Sequence, residues 1–260
     1  MYPDLFGING FSMVVMIFVG VAAAAILFFI YMFKRGFKKE SIIDMLIVII
    51  GAVFFGIVGT ILFENLYEAI KHAIYHTNQQ WTWGMTFYGG LVFGVSAFVL
   101  IYKFYYLRHN EPIMDRILVI APACISLGHA FGRIGCFLSG CCYGIETDSD
   151  IGVLFPGHLH KVLPTQLIES FFLFFLAAFL IYMSFRRNFL YNFLIYLDFY
   201  GIFRFIIEFF RGDERGQLSG LSPSQYWCIV IILICVPLYF FLHKYFYKSE
   251  GEEAQWDLNG

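Results

Sequence analysis

Charge is what this chain has least of: 14% of its 260 residues are Asp, Glu, Lys or Arg, while 60% are hydrophobic. Soluble domains carry on the order of 25% charged residues. A water-soluble catalyst and a nucleic-acid-binding domain with a basic face are both excluded, and the net charge of -2 carries no information about partners. Also missing is a basic region ahead of the first apolar run; "MYPDLFGINGFS" does not resemble a cleavable signal peptide and is expected to stay in the mature protein. There is no Gly/Ser-rich linker, low-complexity tract, internal repeat or CxxC pair. A single membrane domain over residues 1–247 is therefore expected, followed by a disordered polar cytoplasmic tail over 248–260.

What the chain does have is apolar runs of membrane-crossing length, near residues 11–33, 42–63, 87–106, 113–131, 166–185, 190–210 and 223–243. The expected fold class is an all-α polytopic membrane protein of about seven transmembrane helices. Of its 17 Lys and Arg residues, ten, from Lys34 and Arg35 to Lys244 and Lys248, fall between spans on one side. Five fall on the other: Lys71, Arg133, Lys161, Arg211 and Arg215. The positive-inside rule then puts the N-terminus outside and the C-terminus inside, as an odd number of spans requires.

A charge within a spanning helix costs about 2.5 kcal/mol or more unless paired or hydrated, so such residues are functional candidates. In "YGIFRFIIEFFRGD", Arg204, Glu208 and Arg211 are spaced four and three apart, which predicts a ladder on one helix face. Two arginines against one glutamate leave a positive charge that a bound anion would balance; the plainer reading is an ion pair within the helix. Arg133 sits in "HAFGRIGCFLSGCCYG", expected at the external end of the fourth span ahead of a glycine loop with Gly132, Gly135, Gly140 and Gly144. Glycines let backbone N–H groups approach an oxyanion, and a guanidinium binds phosphate through two bonds. The alternative is an arginine snorkelling to the interface. Together the two clusters point to a site for a phospholipid headgroup, with Trp81, Trp83, Tyr88 and Tyr143 in the interfacial zone.

Six segments, "YPDLFGINGFS", "TFYGGLVFG", "GRIGCFLSGCCYG", "PTQLIESF", "YGIFRFIIEFFRGD" and "LSPSQYW", together resemble the prolipoprotein diacylglyceryl transferase family in order and spacing over most of the chain. The resemblance implies a seven-helix protein of the bacterial inner membrane, with its active site toward the external face. It implies transfer of the diacylglyceryl group of phosphatidylglycerol to the lipobox cysteine thiol of a prolipoprotein signal peptide, with release of glycerol phosphate and no cofactor. It places Arg133, Gly135 and Gly144 on the family's signature, Arg204 and Glu208 on its later Arg and Glu, and Tyr88, Gly89 and Gly90 on a segment where many members have His before two glycines. Members usually have Asn where Cys136 stands and Glu where Cys141 stands.

The catalytic set expected is Arg133, Arg204, Glu208, Tyr88 and His129, the last four residues before Arg133 and so on its helix face. Gly89, Gly90, Gly135, Cys136, Cys141, Gly144 and Arg211 are expected to bind substrate, and no metal is expected. Gln166 and Glu169 open the fifth span, where Thr165 reads as a helix cap. Cys124, Cys228 and Cys235 read as packing residues in spans. Cys136 and Cys141 read as space-fillers for the usual Asn and Glu, and the clustering of Cys136, Cys141 and Cys142 on the external face leaves open a disulfide of Cys136 with Cys141 or Cys142. Two other functions remain open: a membrane thiol–disulfide or metal-binding protein built on that trio, and a phospholipid binder without catalysis.

Overall fold

In the computed structural model the described residues are 4–5, 8–9, 11–75, 87–109, 114–186, 191–212, 220–222 and 224–240. They form seven α-helices: α1 (Phe11–Lys34), α2 (Lys39–Tyr75), α3 (Phe87–His109), α4 (Met114–Leu138), α5 (Thr165–Arg186), α6 (Asn192–Ile207) and α7 (Ser224–Phe240). A two-residue antiparallel pair, Asp4–Leu5 with Ile8–Asn9, precedes them. Helices suit a medium without water because every backbone polar group is satisfied within the segment. Four of them, α1, α2, α4 and α5, are long and apolar enough to cross a membrane, and α7 and the Val92–Phe104 part of α3 are shorter apolar helices. The protein is an all-α polytopic membrane protein. Trp81, Trp83 and the tail over 248–260 lie outside the described residues.

The chain forms two compact units, residues 1–31 with 114–260, and residues 32–113. In the second unit α2 and α3 lie against each other along a seam of glycines. A Cβ on Gly59 would lie 2.4 Å from Phe93 Cβ, and one on Gly89 would lie 2.4 Å from Phe63 Cβ. One on Gly90 would lie 2.7 Å from Thr60 Cγ2. Small residues at such a seam let two helix backbones come together, which is how helices associate where lipid removes the hydrophobic drive. The expected second span, 42–63, is exceeded because nothing from Thr60 to Tyr75 breaks a helix: polarity ends the apolar run, while Glu, Leu and Ala continue the α-conformation.

The first unit is organised around α5, whose two faces are opposite in character. Thr165, Gln166, Glu169, Ser170, Leu173, Leu176, Ala177, Leu180 and Ser184 are buried at spacings of three and four, while Phe171 is 78% exposed and Phe175 70%. The polar residues are inside and the large aromatics face outward, toward lipid. Hydroxyls join α5 to α4: Ser126 donates to the Leu173 carbonyl, Ser170 to that of Ala130 and Ser184 to that of Val119, each at 2.9 Å. Pro122 inside α4 has no N–H for the Leu118 carbonyl, and the neighbouring Val119 carbonyl also accepts Asn192 Nδ2 at 3.0 Å.

Two boundaries differ from the sequence expectation. α4 runs on to Leu138, so Arg133, Gly132 and Gly135 are helical rather than parts of a loop. The reason is packing: a Cβ on Gly135 would lie 3.2 Å from Met16 Cβ and 3.3 Å from Met13 Cα of α1, while Gly20 meets the Gly128 carbonyl in the same way. The ladder on the sixth span is broken too. α6 ends at Ile207, Glu208–Phe210 is a 3-10 turn, and Arg211 is extended at φ -82 and ψ 136. Arg211 pairs by its backbone with Gly144, the Ile145 N–H donating to Phe210 at 2.9 Å and the Gly212 N–H to Tyr143 at 3.2 Å.

Candidate active site

Arg133 lies in the last turns of α4 and Glu169 in the second turn of α5, and their side chains form an ion pair. Glu169 has no exposed side-chain surface and Arg133 only 11%. The other Glu169 oxygen accepts the Tyr200 hydroxyl at 2.9 Å, with His129 Nε2 at 3.8 Å. His129 and Tyr200 meet edge to face with ring centroids 5.0 Å apart. Arg133 and His129 do share a face of α4, as their spacing implies. Sequence reasoning missed both of their partners. Read locally, Glu169 is an N-terminal residue beside a capping Thr165; Thr165 Oγ1 instead donates to the Cys142 carbonyl at 3.0 Å, and Gln166 Nε2 to that of Cys141 at 2.6 Å. The signal available is the rule that singles out Glu208, that a carboxylate inside a span needs a partner.

The second cation belongs to α6, where Tyr196, Tyr200 and Arg204 recur every four residues and share one face, with Glu208 four residues further on at the start of the 3-10 turn. Arg204 Nη1 lies 2.6 Å from Glu208 Oε2, and Arg204 Nη2 donates to Ser224 Oγ at 3.5 Å. Glu208 Oε1 accepts the Ser222 hydroxyl at 2.8 Å, and the Ser222 N–H donates to Gln225 Oε1 at 2.9 Å. The start of α7 thus locks the Arg204–Glu208 pair. Arg133 and Arg204 are thus each paired with a buried carboxylate, Glu169 and Glu208. Among the described residues, the buried Arg133 Nε makes no hydrogen bond. Its neighbour Nη1 reaches only the Cys136 sulfur, at 3.9 Å. One edge of a charged guanidinium is therefore not committed to the protein, which suits an anion.

The remaining expected residues sort by what their backbones do. Gly140 (φ +70) caps α4: its N–H donates to the Phe137 carbonyl and that of Cys141 to the Cys136 carbonyl, each at 3.1 Å, a reversal that glycine makes without strain. This turn brings Cys141 Sγ to 3.6 Å from the Cys136 carbonyl oxygen. Cys142, at φ 65, turns the chain again, and the three sulfurs of Cys136, Cys141 and Cys142 lie within 4.8 Å of one another. All six cysteines are thiols. Hydrogen bonds from Cys136 and Cys141, then the Arg211 guanidinium, hold the Cys142 thiol below the ordinary cysteine range. Bonding to Cys136 and Cys142 pushes Cys141 above it. Gly144 has no room for a side chain, since a Cβ would lie 2.6 Å from the Phe210 carbonyl oxygen and 2.8 Å from that of Leu163. Gly89 and Gly90 lie in the α2–α3 seam of the other unit, and Tyr88 is in the first turn of α3 with its side chain outside the described residues.

Helices that turn aromatics outward and two arginine–carboxylate pairs inward make a polar site within a lipid-facing scaffold, and comparison with known proteins agrees with it. The family model for prolipoprotein diacylglyceryl transferase matches residues 5–241. The chain is 35% identical over 249 residues to the phosphatidylglycerol–prolipoprotein diacylglyceryl transferase of Clostridium tetani, covering 89% of this chain and 92% of that protein. It is 30% identical over 243 residues to a second protein of that name in Clostridium perfringens (91% and 92% covered) and 32% over 228 residues to one in Photobacterium profundum (85% and 82%). The chain belongs to the prolipoprotein diacylglyceryl transferase family.

Proposed function

We propose that this protein transfers the diacylglyceryl group of phosphatidylglycerol to the lipobox cysteine thiol of a prolipoprotein, at the external face of a bacterial inner membrane. The observation that carries the reading is the Arg133–Glu169 pair, buried between α4 and α5 and joined by Tyr200 and His129. Displacement at an unactivated sp3 carbon needs a thiolate nucleophile and stabilisation of the departing phosphate. Arg133, through the edge that Glu169 leaves over, and Arg204, held by Glu208 and Ser224, are assigned to the phosphate. Glu169 and Glu208 keep the two guanidinium groups in place before substrate arrives, so little reorganisation remains at the moment of reaction. His129 is assigned as the acceptor of the thiol proton, being 31% exposed beside the buried Glu169.

The ten-to-five distribution of Lys and Arg supports an outside N-terminus, with "KRGFKKE" in the cytoplasm. The test is release of glycerol phosphate by purified protein from phosphatidylglycerol vesicles. The reading expects release only when a lipobox peptide with its cysteine is present. Release independent of the peptide thiol, or none with it, counts against the reading.

A further inference from the structure

The trio of Cys136, Cys141 and Cys142 is not consumed by the mechanism above. Its geometry follows from the cap of α4, where the Gly140 reversal folds Cys141 back over Cys136 and the left-handed Cys142 adds the third sulfur. Three thiolates around one tetrahedral ion at about 2.3 Å would lie about 3.8 Å from one another, so separations of up to 4.8 Å close by shifts of about half an ångström at each sulfur. A disulfide fits less well: it needs a single pair to approach to about 2.05 Å and would leave the third thiol over. Three thiolates select a thiophilic ion. Their excess negative charge faces Arg133, with Nη1 at 3.9 Å from Cys136 Sγ, and Arg211, hydrogen-bonded to Cys142.

We propose that Cys136, Cys141 and Cys142 bind a zinc-class divalent ion through three thiolates, and that its fourth position takes the acceptor thiol for alkylation. The proposal rests on the transferase reading above and reverses the sequence expectation that no metal is bound. Three protein ligands plus one exchangeable position is the arrangement of catalytic rather than structural zinc, and a metal-bound thiol loses its proton. The balance is simple. The acceptor thiol gives its proton to His129 as it binds the metal as thiolate; its sulfur forms a bond to the glyceryl carbon as the carbon–oxygen bond to phosphate breaks. Glycerol phosphate leaves with the electron pair, and the thioether, a weaker ligand than a thiolate, gives up the metal. The site lies beside Arg133, so nucleophile and leaving-group stabiliser are neighbours.

The test uses the full-length protein in detergent under reducing conditions, loaded with Zn2+ or Co2+ and freed of excess metal. The expected results are stoichiometric metal, a tetrahedral Co2+ spectrum with sulfur-to-metal charge transfer, and a change in that spectrum on adding a lipobox peptide. A peptide with Ser in place of its Cys should leave the spectrum unchanged. Cys136→Ser, Cys141→Ser and Cys142→Ser should each weaken metal binding. Should these variants misfold, the wild-type protein still decides: metal should shield three thiols from alkylation in the native state. Substoichiometric metal, an octahedral spectrum or indifference to the peptide thiol overturns the proposal. Lipid transfer by metal-stripped protein at the undiminished rate also overturns it while leaving the transferase reading intact. A Co2+ spectrum that responds to the peptide thiol without any lipid transfer keeps the metal site and removes the transferase reading.

Discussion

Arg133 and Glu169, 36 residues apart in sequence, neutralise each other between α4 and α5 with the Glu169 side chain wholly out of contact with solvent. Breaking a buried pair by removing one partner costs about 3–5 kcal/mol, whereas replacing both by apolar groups of similar volume is close to neutral. Arg133→Met and Glu169→Leu should each lower the unfolding midpoint in detergent, and the double variant should recover most of the loss. Turnover should be absent in all three. Additive destabilisation in the double variant would show that the two side chains do not form an energetic unit.

Arg204 is assigned to the phosphate through a charged hydrogen bond of about 1.5–3 kcal/mol, which corresponds to a loss of about 10- to 150-fold in turnover for Arg204→Ala. Glu208→Gln should lose less, because Ser224 still holds Arg204. Steady-state rates with phosphatidylglycerol vesicles check both. Equal rates in wild type and Arg204→Ala would remove Arg204 from the mechanism.

Glycines in the shared motifs divide by packing. Gly132 is helical, and a Cβ added there would meet nothing within 4 Å. Gly132→Ala should therefore fold at least as well as wild type and keep its turnover. Gly89→Ala, with Gly59 and Phe63 at the seam, should lower the unfolding midpoint. A Gly89→Ala protein of unchanged stability and raised KM would instead place Gly89 at the substrate.

The apolar runs made the helices legible, and α1 and α5 end within a residue or so of their expected limits. Hydropathy could not place the ends of α2 and α4, because both continue into polar or glycine-rich sequence that still favours, or is packed into, a helix. Arg133, Arg204 and Glu208 were legible from the energetic cost of charge in a span. Glu169 was not, since its proximity to Thr165 offered a cap as a sufficient local explanation, and only the tertiary crossing of α4 and α5 shows that its partner is Arg133. Arg211 escapes for a related reason: spacing alone extends a helix through Phe210, whereas pairing of Arg211 with Gly144 ends it. Tyr200 is one of 17 tyrosines, and composition gives no reason to choose it.

The sidedness assigned from charge has its own test. Single cysteines placed in the Lys34–Lys39 segment of a protein whose six native cysteines are otherwise blocked should resist an impermeant thiol reagent in intact cells and react after permeabilisation. Reaction in intact cells would invert the assignment.

The most direct measurement of the central claim is the intact mass of a lipobox peptide after incubation with purified protein and phosphatidylglycerol. The account predicts one added diacylglyceryl group per cysteine, from which mild base removes the two ester-linked acyl chains while the glyceryl thioether stays on the peptide, and none with Arg133→Ala. A peptide of unchanged mass, from protein that nonetheless binds the phospholipid, would contradict the claim and leave a lipid-binding protein on the transferase scaffold.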